Sequence, residues 1–219
     1  MIITLDGPAG AGKSSTARRL ADRLGWCYMD TGAMYRAVAL AALDRGLPLT
    51  DQEGLAGLVA GTTISFSAGR VLLDGRDVSR EIRTDRVTAA TRPVADAPPV
   101  REAMKRLQRA MAERLDVVTE GRDQGTVVFP DAAVKFFLDA APEVRARRRQ
   151  LELAGRGEYR SYREVLGEVA DRDRRDTTRQ ADPLRVPRDA VRVDTTDLDV
   201  EAMIGVLEGE VRRRMKEEA

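Results

Sequence analysis

Histidine is absent from the 219 residues, so a Ser-His-Asp triad, an imidazole base and a His-ligated metal are all excluded. A single cysteine, Cys27, excludes an internal disulfide and a cysteine-rich zinc cluster. It lies in the apolar patch Trp26-Cys27-Tyr28, where a buried packing role is expected. Aromatics make up only 4% of the chain, too few for a base-stacking nucleic-acid platform. No long apolar run exists either: the longest, Ala37 to Leu43, falls far short of a membrane span. The N-terminus shows no basic stretch leading into an apolar region, so no signal peptide is expected, and a cytoplasmic location follows as the expectation. Charge is balanced, 37 Lys plus Arg against 36 Asp plus Glu, which argues against bulk attraction to nucleic acid or a membrane surface. Lysine is scarce as well, limited to Lys13, Lys105, Lys135 and Lys216. GC-rich codon usage accounts for an arginine bias, and so does phosphate chemistry, since guanidinium grips phosphate oxygens in a bidentate fork. Composition does not choose between them; position does.

What is present reads as an α/β chain. Ile2 to Leu5 is a short apolar run ended by Asp6-Gly7-Pro8, a buried strand, and Lys13 to Leu24 carries Ala17, Leu20, Ala21 and Leu24 on one helical face. Gly25 ends that helix, Trp26 to Met29 reads as a second strand, and Asp30-Thr31-Gly32 leads into a helix ending near Arg45-Gly46. Strand, helix, strand, helix is the pattern of a parallel sheet flanked by helices. Thr62 to Phe66, Gly69 to Leu73 and Arg76 to Val78 are short strands with Ala-Gly and Asp-Gly turns, an antiparallel insert over about residues 61–100. Pro93, Pro98 and Pro99 are expected to close it before a helix from about Val100 to Arg114. Parallel strands resume at Val117 to Thr119 and Val134 to Leu138, helices at about Pro142 and Ser161, a last strand at Ala190 to Val193, and an amphipathic tail helix at Val200 to Met215. The whole is expected to be one domain over residues 1–219.

The most specific signal is Gly7-Pro8-Ala9-Gly10-Ala11-Gly12-Lys13-Ser14, a full match to G-x-x-x-x-G-K-[ST] between a strand and a helix. Its glycines let successive backbone N–H groups wrap an anion, and the helix start adds its positive dipole end. Lys13 reaches the β- and γ-phosphates of a nucleoside triphosphate, and the Ser14 hydroxyl is placed to ligate Mg²⁺. The loop leaves the acceptor open among a GTP switch, an ATPase and a small-molecule kinase. No Asn-Lys-x-Asp guanine-reading sequence occurs, and the balanced charge does not favour a motor. Between Arg145 and Arg188 stand thirteen arginines against eight carboxylates. Many belong to a solvated face of i,i+4 pairs. Arg172, Asp176 and Arg179, however, are spaced by four and three, as on one helical stripe beside Gly155-Arg156-Gly157, which suits a lid over about residues 150–180.

In Asp30-Thr31-Gly32-Ala33-Met34-Tyr35-Arg36, Glu81-Ile82-Arg83-Thr84, Val100-Arg101-Glu102, Glu120 to Pro130 and Arg172-Asp173-Arg174-Arg175-Asp176, together with the P-loop, the sequence resembles the bacterial cytidylate kinase family over nearly its whole length. The resemblance implies a P-loop three-layer fold, with an enlarged acceptor-binding insert, that moves the γ-phosphoryl group of ATP to CMP or dCMP with Mg²⁺. It implies ATP binding by Gly7, Pro8, Ala9, Gly10, Ala11, Gly12, Lys13, Ser14 and Ser15. Thr31, at a position that is often serine, Arg36 and Arg122 would hold the acceptor phosphate; Arg101, Asp123 and Arg179 would face the cytosine; Arg172 and Asp176 would meet the sugar and the reacting phosphates. Lys13, Arg122, Arg172 and Arg179 become the catalytic set, Ser14 the metal ligand, with Glu120 or Asp123 assisting. One departure stands out: Arg92 occupies a place where the family commonly has a base-contacting serine. An acceptor phosphate with a second pKa near 6 is already a dianion at neutral pH, so the reaction needs no general base and tolerates the absence of histidine. Expected partners are the small-molecule substrates alone, without nucleic acid or membrane, for a monomeric enzyme.

Overall fold

The computed structural model describes residues 1–67 and 69–217. In chain order the strands are β1 (Ile2–Asp6), β2 (Cys27–Asp30), β3 (Ile64–Ser67), β4 (Arg70–Leu73), β5 (Arg76–Asp77), β6 (Val117–Glu120), β7 (Val134–Asp139) and β8 (Val191–Asp194). The helices are α1 (Lys13–Leu24), α2 (Thr31–Asp44), α3 (Gln52–Ala60), α4 (Asp85–Asp96), α5 (Pro98–Ala112), α6 (Pro142–Ala154), α7 (Tyr162–Thr178) and α8 (Val200–Glu217). Two compact units result: Met1–Tyr28 with Asp116–Ala219, and Met29–Leu115.

A five-stranded sheet has the order β2-β6-β1-β7-β8, and β6, β1, β7 and β8 lie wholly in the first unit. Strand β1 is central and pairs in parallel with β6, Leu5 opposite Glu120, and with β7, Asp6 opposite Phe137. Its apolar run makes it a strand buried on both faces. Ile3 and Leu5 have no exposed surface and join Val118, Phe136 and Leu138 in a core closed by Ala17, Leu20 and Ala21 of α1 and by Met203, Leu207 and Val211 of α8. Helix α1 starts at Gly12, which offers no side-chain cap, so its first N–H groups are left for a ligand. It stops at Gly25 in the left-handed region (φ 70°). Helices α6 and α7 share a smaller core of Ala146, Leu153, Val165 and Val169, and Ser161 and Glu164 form a capping box that starts α7.

In the second unit, Asp30 caps α2 by accepting the Ala33 N–H at 2.8 Å. Strands β3, β4 and β5 form an antiparallel sheet. Asp74 (φ 50°) and Gly75 (φ 81°) both take positive φ, the geometry of a two-residue hairpin turn. Helix α2 packs on α4, and α3 on α5. The prolines differ from expectation. Pro93 lies inside α4, and α5 begins at Pro98-Pro99, whose missing N–H groups belong to the first turn, where no donor is needed. Helices α3 and α4 carry no signal strong enough to be predicted from the sequence; the Gly, Thr and Pro within them weaken the pattern. Among the described residues no helix is long and apolar enough to cross a membrane. Cys27 is half-buried rather than buried, and burial pushes its thiol pKa up.

Candidate phosphoryl-transfer site

In the first unit, residues 7–12 connect the end of β1 to α1. A side chain at Gly7 (φ 145°) would place Cβ 2.0 Å from the Leu138 carbonyl oxygen, so the loop can lie against β7 only as glycine. At Gly10 (φ 81°) a Cβ would meet the Arg145 Cβ at 2.9 Å. Ala11 is buried, whereas Ser14 and Ser15 are exposed on the first turn of α1.

The loop is propped from behind by residues that the sequence did not single out. Arg145 of α6, buried, donates from Nε to the Ala140 carbonyl (2.8 Å) and from one guanidinium nitrogen to the Ala9 carbonyl (3.3 Å) and Asp173 (2.6 Å). The Thr195 hydroxyl lies within hydrogen-bond distance of the Ala11 carbonyl (3.1 Å), and Arg148 donates to the Thr195 hydroxyl and carbonyl. Only the arginine clustering hinted at this, since nothing in the spacing marks Arg145 apart from its neighbours. Beside Pro8 and Arg145 opens a cavity of about 750 Å³ with Phe137, Leu184 and Val186 among its apolar walls and Thr196 at its edge.

Lys13 is buried, and its ammonium donates to the Pro8 carbonyl at 2.6 Å. Burial, reinforced by the Arg122 guanidinium, draws its pKa from 10.5 down to about 7. The Ser14 hydroxyl donates to Glu120 Oε1 at 2.7 Å. Glu120 ends β6, and its register beside Leu5 brings it to the P-loop. A hydroxyl and a carboxylate oxygen so close form a hard-oxygen pair suited to Mg²⁺, which takes one or two protein oxygens and completes its shell with phosphates and water. Among the described residues there is no cluster of three or more His, Cys, Asp or Glu that could hold a metal ion.

Past β6, Arg122 donates from Nε to Asp176 of α7 at 2.7 Å. Arg172 stands 3.9 Å from the same carboxylate, and Arg179 lies 3.9 Å from Asp123. Burial alone raises the Asp176 pKa, but Arg122, through its charge and hydrogen bond, then Arg172 and Arg179, hold it below the ordinary carboxylate value. The expected helical stripe needs correction. α7 ends at Thr178, and Arg179 is its extended C-cap (φ −59°, ψ 144°), donating to the Asp182 carbonyl. Arg172 and Arg179 both still act on Asp176 through their charge, although Arg179 lies beyond the helix.

The second unit holds the remaining predicted residues. Thr31, buried, opens α2. Arg36 donates to the Thr88 hydroxyl (2.7 Å) and the Ile82 carbonyl (3.4 Å). Arg101, 2% exposed, donates to the Ala95 carbonyl (3.1 Å), with its guanidinium carbon 5.9 Å from the Tyr35 ring centroid. Arg92, the atypical position, is exposed on α4 and pairs with Asp96 at 3.8 Å.

A parallel sheet whose central strand feeds a P-loop, with a hydroxyl–carboxylate pair and converging arginines at the strand ends, defines a P-loop phosphotransferase. The family model described as cytidylate kinase matches residues 3–213. The cytidylate kinase of Geobacter sp. (strain M21) is 49% identical, covering 98% of this chain and 94% of its own length. That of Pelotomaculum thermopropionicum is also 49% identical, covering 98% and 97%. The chain belongs to the cytidylate kinase family. Among solved structures, an uncharacterized protein from Eubacterium ventriosum ATCC 27560 has a TM-score of 0.55 at 12% identity, covering 97% of this chain and 98% of that one, a likeness of fold.

Proposed function

We propose that this protein transfers the γ-phosphoryl group of ATP to CMP or dCMP, giving ADP and CDP or dCDP. The observation that carries the reading is Lys13 and the Ser14–Glu120 pair at a P-loop whose neighbouring segment presents Arg122 to Asp176, within a chain of this family. Gly7 to Ser15 hold the triphosphate, and the 750 Å³ cavity beside Pro8 takes the donor nucleoside. Ser14 and Glu120 hold Mg²⁺, which neutralises phosphate charge when bound.

Transfer between two anions is a problem of alignment and charge. Lys13 moves from the Pro8 carbonyl to the transferring phosphate, Arg122 and Arg172 neutralise its developing charge, and Asp176 orients both guanidiniums. Thr31, Arg36 and Arg101 serve the acceptor, and Asp123, beside Arg179, accepts from the cytosine amino group. Residues 150–180 act as the lid and 61–100 as the acceptor insert. A monomeric, cytoplasmic enzyme without nucleic-acid or membrane partners suits the balanced charge. Single-turnover transfer from ATP–Mg²⁺ to a panel of nucleoside monophosphates tests the reading: CMP and dCMP should react fastest, and transfer to none, or to a purine monophosphate first, overturns it.

A further inference from the structure

The segment that presents Arg122 and Asp123 is anchored at two points on β1, one on each side of those residues. Ahead of them, the Gly121 N–H donates to the Leu5 carbonyl at 3.0 Å. Behind them, the Gln124 N–H donates to Asp6 Oδ1 at 2.9 Å and the Gly125 N–H to Asp6 Oδ2 at 2.7 Å. Arg122 and Asp123 are thus the only residues between the anchors, and the rear anchor is one fully buried carboxylate. The residue after Asp6 is Gly7, so the group that holds this segment is also the last side chain before the P-loop. We propose that Asp6 is a positioning residue: its carboxylate, bridging two successive backbone amides, fixes Arg122 and Asp123 in register with the P-loop, and thereby sets acceptor affinity and base selection.

The geometry separates this role from two others. Both carboxylate oxygens are engaged by backbone N–H groups, whereas the Ser14 hydroxyl meets Glu120, so Asp6 is not placed as the metal ligand. Having no exposed surface, Asp6 touches no substrate and acts only through the segment it holds. Only an ionised carboxylate offers an acceptor to each N–H; an amide in its place turns an NH₂ toward one of them. Burial has pushed the Asp6 pKa up to about 6 despite both hydrogen bonds, so removing the charge relieves desolvation and Asp6→Asn is expected to fold.

The inference rests on the proposed CMP reading, and the test keeps the two apart. Wild-type protein, Asp6→Asn and Thr4→Val are compared for ATP–Mg²⁺ affinity without acceptor, for KM and kcat with CMP and UMP, and for hydrogen exchange at the Gln124 and Gly125 amides. Thr4→Val is the control in the same strand, since the buried Thr4 hydroxyl makes no hydrogen bond. In Asp6→Asn, KM for CMP should rise on the order of tenfold or more, as expected for a displaced contact group. The CMP-to-UMP ratio of kcat/KM should fall with it, exchange at the two amides should quicken, and ATP affinity should stay within about twofold. Thr4→Val should match the wild type. If ATP affinity and CMP KM weaken together, Asp6 merely supports the P-loop; if CMP kinetics do not change, the bridge is idle; either result overturns the proposal. Should Asp6→Asn not fold, Asp6→Ser, with one short acceptor and no buried charge, enters the same panel under the same expectations. A wild-type enzyme that shows no preference for CMP would instead overturn the underlying reading.

Discussion

Replacing Lys13 with methionine should destroy catalysis and stabilise the ligand-free protein at once. The side chain is 5% exposed and donates only to the Pro8 carbonyl in the hydrogen bonding seen for it. Its pKa falls from 10.5 in an open chain to about 7 in the fold, burial being the larger cause and the Arg122 charge the next. At about 1.4 kcal/mol per unit, holding that ammonium at pH 7 costs the empty fold on the order of 4 kcal/mol. Methionine fills much the same volume without charge; against this, the Pro8 carbonyl loses a partner, worth about 1–3 kcal/mol. A net gain of about 1–3 kcal/mol follows, or several degrees in Tm for a chain of this size. The sign with pH is fixed as well. Between pH 7 and about 10 the unfolded chain holds the Lys13 proton and the native chain does not, so wild-type stability recovers as pH rises. The variant's advantage should therefore shrink by about 2 kcal/mol between pH 7 and 9. Urea titrations of both proteins at those two pH values, without nucleotide, read this directly. In the same variant kcat should fall at least about a hundredfold, roughly 3 kcal/mol of lost transition-state stabilisation. A lower Tm at pH 7, an advantage that grows toward pH 9, or a kcat within tenfold of wild type would each refute the reasoning.

Three further outcomes are expected. Asp123→Asn should collapse the CMP-to-UMP ratio of kcat/KM, chiefly by loss on CMP, because a carboxylate only accepts and cytosine offers an amino group where uracil has an oxygen; the charge-assisted bond is worth about 1.5–3 kcal/mol, and equal losses on both substrates would send Asp123 to another role. For Asp6, raised from 3.8 to about 6, the native state binds more protons than the unfolded one across that interval, so its contribution is fully present below about pH 4 and is lost as pH rises through 6. Urea titrations should show Asp6→Asn gaining on wild type by about 2 kcal/mol between pH 4.5 and 7.5, and a constant difference would contradict the burial argument. Arg145→Met should destabilise by about 3 kcal/mol, since it strips the Ala9 and Ala140 carbonyls and a quarter-exposed Asp173 of their donor, and should weaken ATP binding; a variant with unchanged affinity would detach α6 from the P-loop.

The elements legible in the sequence are those whose local signals agree with their tertiary place. Helix α1 is predicted over Lys13 to Leu24 and found there, because a glycine motif opens it, a left-handed glycine closes it and its apolar face meets the sheet. Strands β1, β6 and β7 read correctly because strands buried on both faces are continuous apolar runs. Helix α4 is hidden because Pro93 sits within it and Thr84 caps it without a side-chain hydrogen bond, so neither end nor interior looks helical locally. Arg172, Asp176 and Arg179 illustrate the opposite failure. Their spacing is helical and both arginines act on Asp176 through charge, yet Arg179 lies beyond the helix and pairs with Asp123, and periodicity cannot encode where a helix stops.

The arginine bias, undecided by composition, divides by position into three kinds. Arg149, Arg156 and Arg160 pair with Glu152, Glu164 and Glu168 at the surface, where screening leaves little net stabilisation and a lysine would serve as well. Arg145 and Arg148 each satisfy several backbone or hydroxyl oxygens around the P-loop, a task for a planar fork with several donors that a lysine cannot copy. Arg122, Arg172 and Arg179 gather around Asp176 and Asp123, so that in the absence of phosphate the carboxylates balance the guanidiniums that a phosphate would otherwise attract. Codon usage can explain the first kind. The second and third require the guanidinium itself: the second holds the loop, and the third gathers on the carboxylates beside it.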